Sequence, residues 1–299
     1  MKLGFIGLGR MGAAMTASLL EKKHELVVTD LSEDAVNTAV AQGATAAESL
    51  SDLVAKLEAP RVVWVMVPNG EPTDTVIDEL GELLEKGDIV IDGGNSYYEN
   101  TIKNGEMLAD KGITMLDCGT SGGIEGARHG ACMMIGGDKK AFDHTEQLYK
   151  DMCVEDGYGY MGTAGGGHFV KMVHNAIEYG MMGAIAEGVQ VVNEMAGAQF
   201  ETDINEVVKV YAHGSIIESR LMSWLEDSFD EKGYMDAIEG EVPRGETEGE
   251  MEELEKKTSM PMLTAARQMR VGTRDKASFA GQMLAAMRNQ FGGHAVKKK

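Results

Sequence analysis

The sequence predicts a doubly wound α/β domain followed by an all-α domain. Three observations carry this. Short apolar runs of strand length alternate with helix-like segments through the first half of the chain. The alternation stops at a glycine-rich stretch over 157–167, and no convincing strand follows it. The chain has 299 residues, 43% of them apolar, which is a normal share for a globular protein with room for two domains. The boundary is placed near residue 160, giving domains over 1–160 and 161–299.

Each element follows from its residues. Residues 3–6 form a short apolar strand that runs into a glycine turn, and 11–20 read as the helix after it. A second strand over 26–28 leads to Asp30, and Ser32 or Asp34 suits the cap of the next helix. Residues 61–67 are apolar enough for the middle of a parallel sheet. A helix around 72–84 separates them from a strand over 89–91, and 114–117 and 132–135 read as further strands. Beyond the boundary, 168–195 reads as a long helix, followed by helices over 201–210, 216–225, 251–270 and 278–288. The Glu- and Gly-rich run over 239–255 reads as a solvated loop and helix start, and 297–299 as a frayed tail.

The net charge is −20 and the pI about 4.7. Such a field repels nucleic acid and anionic membrane surfaces, so neither is an expected partner. An anionic substrate would need cations gathered locally. Excess acid also suits a salt-rich cytoplasm, and this is the expectation drawn from it. No apolar run approaches the roughly 18 to 20 residues that span a bilayer, and the N-terminus lacks the apolar region of a signal peptide. The three cysteines, Cys118, Cys132 and Cys153, have neither metal-ligand nor Cys-x-x-Cys spacing. They read as buried thiols in a reducing compartment, so a cytoplasmic protein without a metal site is expected. The many methionines read as core filler.

Gly7-Leu8-Gly9-Arg10-Met11-Gly12 follows the first strand and opens the first helix. Glycines at that spacing allow a tight turn and let the backbone approach a pyrophosphate at a helix N-terminus. Asp30 follows Gly12 by 18 residues, near the spacing of a ribose-binding acid. The first domain is therefore of Rossmann type and binds a dinucleotide. A carboxylate at Asp30 repels a 2′-phosphate, and no Arg or Lys stands in 31–34 to receive one. NAD is favoured over NADP, although Arg10 could blunt the preference. The turn Val67-Pro68-Asn69 after the third long strand is placed with the cofactor.

Three further segments point to chemistry. Asp92-Gly93-Gly94-Asn95-Ser96 ends a strand, where ligands of open α/β sheets bind, and puts Asn95 in reach of both cofactor and substrate. Ser121-Gly122-Gly123 can offer a hydroxyl and exposed amides to a carboxylate, or can simply be a tight turn. In His168-Phe169-Val170-Lys171-Met172-Val173-His174-Asn175-Ala176-Ile177-Glu178-Tyr179, helical spacing puts Lys171, Asn175 and Glu178 on one stripe with His174 beside it. That stripe is either a solvated face or a base and an acid placed side by side.

These segments, together with Arg288-Asn289-Gln290-Phe291-Gly292-Gly293-His294, make the chain resemble a short-form 6-phosphogluconate dehydrogenase of the β-hydroxyacid dehydrogenase group, nearly end to end. It departs at Ile124, where the family often carries a second acid, and the stretch over 240–255 fits only loosely. The resemblance implies oxidative decarboxylation of 6-phosphogluconate to ribulose 5-phosphate with reduction of NAD or NADP. Lys171 matches the general base and Glu178 the general acid. Asn95, His174 and Asn175 match groups that hold the sugar hydroxyls, and Ser121, Gly122 and Gly123 those that hold the carboxylate. Tyr179 and Arg288 match phosphate ligands, with His294 closing the site. The resemblance also implies a homodimer or tetramer whose C-terminal tail completes a neighbouring subunit's site. Arg220 is a weaker phosphate-side candidate.

Two rival readings remain open. A dehydrogenase for 3-hydroxyisobutyrate or tartronate semialdehyde would share the fingerprint, the Ser-Gly-Gly turn and the lysine, but needs neither Glu178 nor Arg288. A non-catalytic cofactor-binding scaffold would usually have lost the base.

Overall fold

The computed structural model describes the backbone of all 299 residues and the side chains of all but residues 196–198. It divides into two compact units, Met1–Lys171 and Met172–Lys299. The first contains β1 (Lys2–Ile6), α1 (Arg10–Glu21), β2 (Glu25–Thr29), α2 (Glu33–Ala41), β3 (Thr45–Ala46), α3 (Leu50–Ala55), β4 (Val62–Val65) and α4 (Glu71–Leu83). It continues with β5 (Ile89–Asp92), α5 (Tyr98–Asp110), β6 (Thr114–Ser121), α6 (Gly123–His129), β7 (Ala131–Gly137), α7 (Lys139–Met152) and β8 (Cys153–Tyr160). Helix α8 (Gly166–Val191) starts in the first unit and runs on into the second.

The eight strands form one sheet in the order β3-β2-β1-β4-β5-β6-β7-β8. The first six in that order are parallel; β7 is antiparallel to β6, and β8 pairs parallel with β7. The chain steps outward from β1 to β3, returns to β4 beside β1, and steps outward on the other side. The strand order therefore reverses between β1 and β4, and the carboxyl ends of these strands open a crevice there. Every residue of β4 and β5 is buried, because helices cover both faces. One face packs Leu3, Phe5 and Trp64 against Met15 and Leu19 of α1. The other packs Val63 and Val90 against Leu53, Ile77 and Leu108 of α3, α4 and α5.

The second unit is helical. After the rest of α8 come a π-helical turn (Val192–Ala196), α9 (Gly197–Phe200), α10 (Ile204–Tyr211), α11 (Arg220–Asp230), α12 (Tyr234–Ala237), α13 (Glu246–Lys257), α14 (Pro261–Asp275) and α15 (Phe279–Gly292). Ala280, Met283, Leu284 and Met287 recur at helical spacing on α15 and are buried with Met182 and Ala186 of α8 and Leu221, Met222 and Leu225 of α11. The α/β-then-α architecture is the one the sequence predicts, and Ser32 caps α2 by accepting from the Ala35 amide.

Several local expectations are corrected. The helix expected over 251–270 is two helices, α13 and α14. Pro261 lacks an N–H and disfavours helical geometry in the residue before it, so the chain breaks ahead of it. The run over 239–255 is not simply solvated, since Glu248 and Glu250 are buried. The terminal lysines are not frayed. The Glu239 amide donates to the Lys297 carbonyl, the Lys299 amide to the Ala237 carbonyl, and Lys297 pairs with Glu239 and Glu241. Cys118 is buried, but Cys132 is exposed. The polar strand β8 has no apolar alternation to betray it and forms by pairing with β7.

Candidate active site

The first unit assembles a cofactor crevice from strand ends. Gly7 has φ +94°, and a Cβ there would lie 2.3 Å from the Met66 carbonyl oxygen; a Cβ on Gly12 would lie 2.0 Å from the Gly7 carbonyl oxygen. Only glycine permits this turn. Gly9, the N-cap of α1, has open space before it and no side chain capping the helix, so the first amides of α1 face outward. A pyrophosphate fits that position. Leu8 and the exposed Arg10 complete the turn, while Met11 packs back against the core. Gly12→Ala should weaken NAD binding by more than about tenfold, measured by titration calorimetry. Unchanged binding would remove the turn from the cofactor site.

Asp30 follows β2 and accepts from the Leu8 amide through Oδ2 and from the Ser32 amide through Oδ1. The Asp30 carboxylate and the glycine turn are thus one hydrogen-bonded unit. The loops after β4 and β5 are likewise joined. Asn69 Nδ2 donates to the Asn95 carbonyl at 3.0 Å, Thr73 Oγ1 to the Pro68 carbonyl at 2.8 Å, and a Cβ on Gly94 would touch the Val67 carbonyl. Asp92, fully buried, fixes the second loop by accepting from the Gly94 amide.

Lys171 is delivered by the start of α8. Asp117 of β6 accepts from the Gly165 and His168 amides, each at 2.8 Å, which pins the entry of the helix. His168 Nδ1 meets Thr101 Oγ1 at 2.7 Å in the interior. Gly119, two residues past the end of the β5–β6 register, has no room for a side chain, since its Cβ would lie 2.3 Å from Lys171 Cβ. The stem of Lys171 therefore rests on the carboxyl end of β6, and the residue is 9% exposed. Ser121 ends the same strand, and Gly122 (φ +113°) and Gly123 turn the chain into α6. Ile124 is half-buried and packs against the core of the first unit, which accounts for an apolar residue there.

In the second unit, His174 Nδ1 lies 3.3 Å from Asn175 Oδ1, with Asn175 buried and His174 and Glu178 partly so. Tyr179 is buried under Arg270, whose guanidinium sits 4.1 Å from the ring centroid. Arg288 joins them. A methyl built on Gly245 would lie 3.5 Å from Arg288 Nη2, 3.9 Å from Arg270 Nη2 and 3.9 Å from Tyr179 Oη. Burial draws Arg270 down to about 10, and the neighbouring Arg288 cation adds to that effect. Burial likewise draws Arg288 down and pushes the Tyr179 hydroxyl up. Two guanidiniums crowded away from water favour an incoming anion.

Arg270 escaped the sequence reading because it falls inside an amphipathic helix, where an arginine ordinarily faces solvent. Arg288 lies near Tyr179 and Arg270 within its own chain, because α15 packs into the core of the same unit. His294 is exposed, edge-on to Phe291, and the Asn289 amide nitrogen donates to its carbonyl. Arg220 starts α11 with its guanidinium over the Trp224 ring. Among the described residues no cluster of metal-binding side chains occurs, and no helix is long and apolar enough to cross a membrane.

Residues 2–164 match the family model described as the NAD binding domain of 6-phosphogluconate dehydrogenase, and residues 167–202 match the model of that enzyme's C-terminal domain. The chain is 43% identical over 301 residues to YqeC of Bacillus subtilis (strain 168), a protein named only provisionally as a 6-phosphogluconate dehydrogenase, with all of both chains covered. It is 37% identical over 303 residues to the NAD-dependent, decarboxylating 6-phosphogluconate dehydrogenase of Haloferax volcanii, covering 100% of this chain and 99% of the relative. Among solved structures, the Plasmodium falciparum 6-phosphogluconate dehydrogenase, studied with NADP and with 6-phosphogluconate, superposes with a TM-score of 0.81 at 27% identity, covering 92% of this chain and 62% of that one. The chain is an oxidoreductase with a nicotinamide-dinucleotide fold, and it belongs to the 6-phosphogluconate dehydrogenase family.

Proposed function

We propose that the chain oxidises and decarboxylates 6-phosphogluconate, giving ribulose 5-phosphate and carbon dioxide. The observation that carries this reading is the meeting of Tyr179, Arg270 and Arg288, two buried cations and a hydroxyl in a protein of net charge −20. A short hydroxy acid such as 3-hydroxyisobutyrate has one anionic group, its carboxylate, which the Ser121-Gly122-Gly123 turn would take, whereas 6-phosphogluconate brings a phosphate dianion besides its carboxylate to occupy such a cluster.

Residues over 1–160 would hold the dinucleotide, and those over 161–299 the substrate and the subunit contact. The Gly7–Gly12 turn would hold the pyrophosphate, Asp30 the adenosine ribose, and Val67, Pro68, Asn69 and Asn95 the nicotinamide end. Bound there, the nicotinamide supplies the hydride acceptor. Neutral Lys171 takes the proton of the carbon-3 hydroxyl as that carbon is oxidised. The resulting 3-keto acid loses carbon dioxide, and the protonated Lys171 stabilises the enolate oxygen. Glu178 then protonates the carbon that becomes carbon 1 of the product. Both residues belong to α8. Asn95, His174 and Asn175 hold the hydroxyls, and Ser121, Gly122 and Gly123 the carboxylate. Tyr179, Arg288 and Arg270 hold the phosphate, with His294 near the rim.

Glu178→Ala should lower kcat by roughly 10²-fold, less than loss of the base, because it acts after oxidation. Reduced cofactor appearing in the first turnover at an undiminished rate would be the signature. NAD should serve better than NADP, since a carboxylate at Asp30 would repel a 2′-phosphate and no Arg or Lys stands in 31–34 to receive one. Ile177, Met181 and Val191 of α8, Val210 of α10 and Ile216 are exposed, which supports a homodimer or a tetramer. Fully active monomers in a dilution series would contradict that. A cytoplasmic, salt-adapted setting completes the proposal.

The deciding experiment follows absorbance of the reduced nicotinamide with 6-phosphogluconate and NAD, then NADP, while trapping carbon dioxide. Equal yields of reduced cofactor and carbon dioxide are expected. Turnover of 3-hydroxyisobutyrate or tartronate semialdehyde instead, with none of 6-phosphogluconate, would overturn it.

A further inference from the structure

Glu248 is a buried carboxylate beside the arginine cluster, with 1% of its side chain exposed. It lies in the first turn of α13, where its amide donates to the Gly245 carbonyl at 3.2 Å, and Gly245 is the residue whose Cβ would lie 3.5 Å from Arg288 Nη2 and 3.9 Å from Arg270 Nη2. Yet the hydrogen bonds of its carboxylate go elsewhere. Arg274 Nη1 donates to Oε1 at 3.0 Å and Nη2 donates to Oε2, while Arg244 Nη1 stands 3.5 Å from Oε1. Arg274 is itself steadied by Nε donating to the Val242 carbonyl at 3.1 Å, and the Val242 amide donates to Thr273 Oγ1 at 3.0 Å. Arg244 is held in turn by Glu252. Among the described residues no carboxylate pairs with Arg270 or Arg288, and Arg270 Nε is buried without a hydrogen-bond partner.

The same groups admit two charge arrangements. With Glu248 on Arg274, two guanidiniums remain for an anion. With Glu248 on Arg270 or Arg288, an internal carboxylate occupies the place of the ligand. A buried carboxylate that loses its cation is unstable where it stands and turns to the next donor within reach. We propose that Arg274, backed by Arg244, is a positioning residue for phosphate recognition: by holding Glu248 it keeps Arg270 and Arg288 available to a dianion. This rests on the phosphate-substrate reading above. Although burial pushes the Glu248 carboxyl up, the Arg274 hydrogen bonds and the Arg274, Arg244 and Arg270 charges hold it below the usual carboxylate range, as a standing ion pair requires.

The test combines steady-state kinetics with melting curves in inorganic phosphate. In Arg274→Gln, KM for 6-phosphogluconate should rise roughly tenfold or more with kcat little changed, and the gain in Tm from phosphate should vanish. Adding Glu248→Gln to that variant should restore both most of the way, because the competing carboxylate is gone. A double variant no better than the single one would mean that the network is only structural and would overturn the proposal. If Arg274→Gln does not fold, Glu248→Gln alone decides: phosphate binding should hold or tighten, and weakened binding refutes the idea. Should the wild type ignore 6-phosphogluconate but still gain Tm in phosphate through Arg274, the substrate reading fails and the role of Arg274 stands.

Discussion

Lys171→Ala should lower kcat with 6-phosphogluconate by about 10²–10⁴-fold, the usual contribution of a positioned general base. NAD binding should stay close to wild type, because the Gly7–Gly12 turn and Asp30 are built from β1, β2 and α1 and owe nothing to α8. The entry of α8 should also survive. Asp117 pins it through the Gly165 and His168 amides, one turn ahead of Lys171. Calorimetry with NAD and stopped-flow absorbance separate the two quantities. Wild-type turnover in the variant would remove Lys171 from the mechanism. Loss of NAD binding along with turnover would mean that its contact with Gly119 is structural. Lys171→Arg is the companion, since a guanidinium keeps the charge but cannot serve as a base near neutral pH.

Arg270→Met should raise KM for 6-phosphogluconate by roughly 30- to 1000-fold, corresponding to about 2–4 kcal/mol for one partner of a desolvated charge pair. The change should leave the fold intact. Arg270 is buried, its charged state is penalised by that burial, and Met fills similar volume without the charge. Stability in the absence of ligand should therefore hold or rise, while the increase in Tm produced by phosphate is lost. A variant that melts far below wild type yet binds phosphate normally would make Arg270 a structural residue stacked on Tyr179. Arg270→Lys should recover only part of the affinity, because an ammonium cannot make a bidentate contact.

Both effects rest on residues that differ in how far the sequence exposes them. The strand-turn-helix at Gly7–Gly12 and the acid after β2 are short-range features. Their spacing is set by backbone geometry that only glycine tolerates, and the neighbours that enforce it lie within one βαβ unit. The apolar runs of β4 and β5 are legible for a related reason: burial on both faces leaves no polar position to blur the signal. The stripe of Lys171, Asn175 and Glu178 follows from helical periodicity alone.

What the sequence by itself determined is thus the order of elements, the change from α/β to α, the glycine turn with its acid, and the polar stripe of α8. These depend on neighbours along the chain. What only the tertiary structure decided are the pairings between distant elements. Arg270 and Arg288 come from different helices and meet over Tyr179; Glu248 is turned away from them by Arg274; Lys297 is tied to Glu239 and Glu241; and the polar β8 becomes a strand because β7 offers it an edge. The physical reason is that a charged side chain reads as solvent-facing in any local window, and only packing reveals which charges have been taken out of water and what they are left to bind.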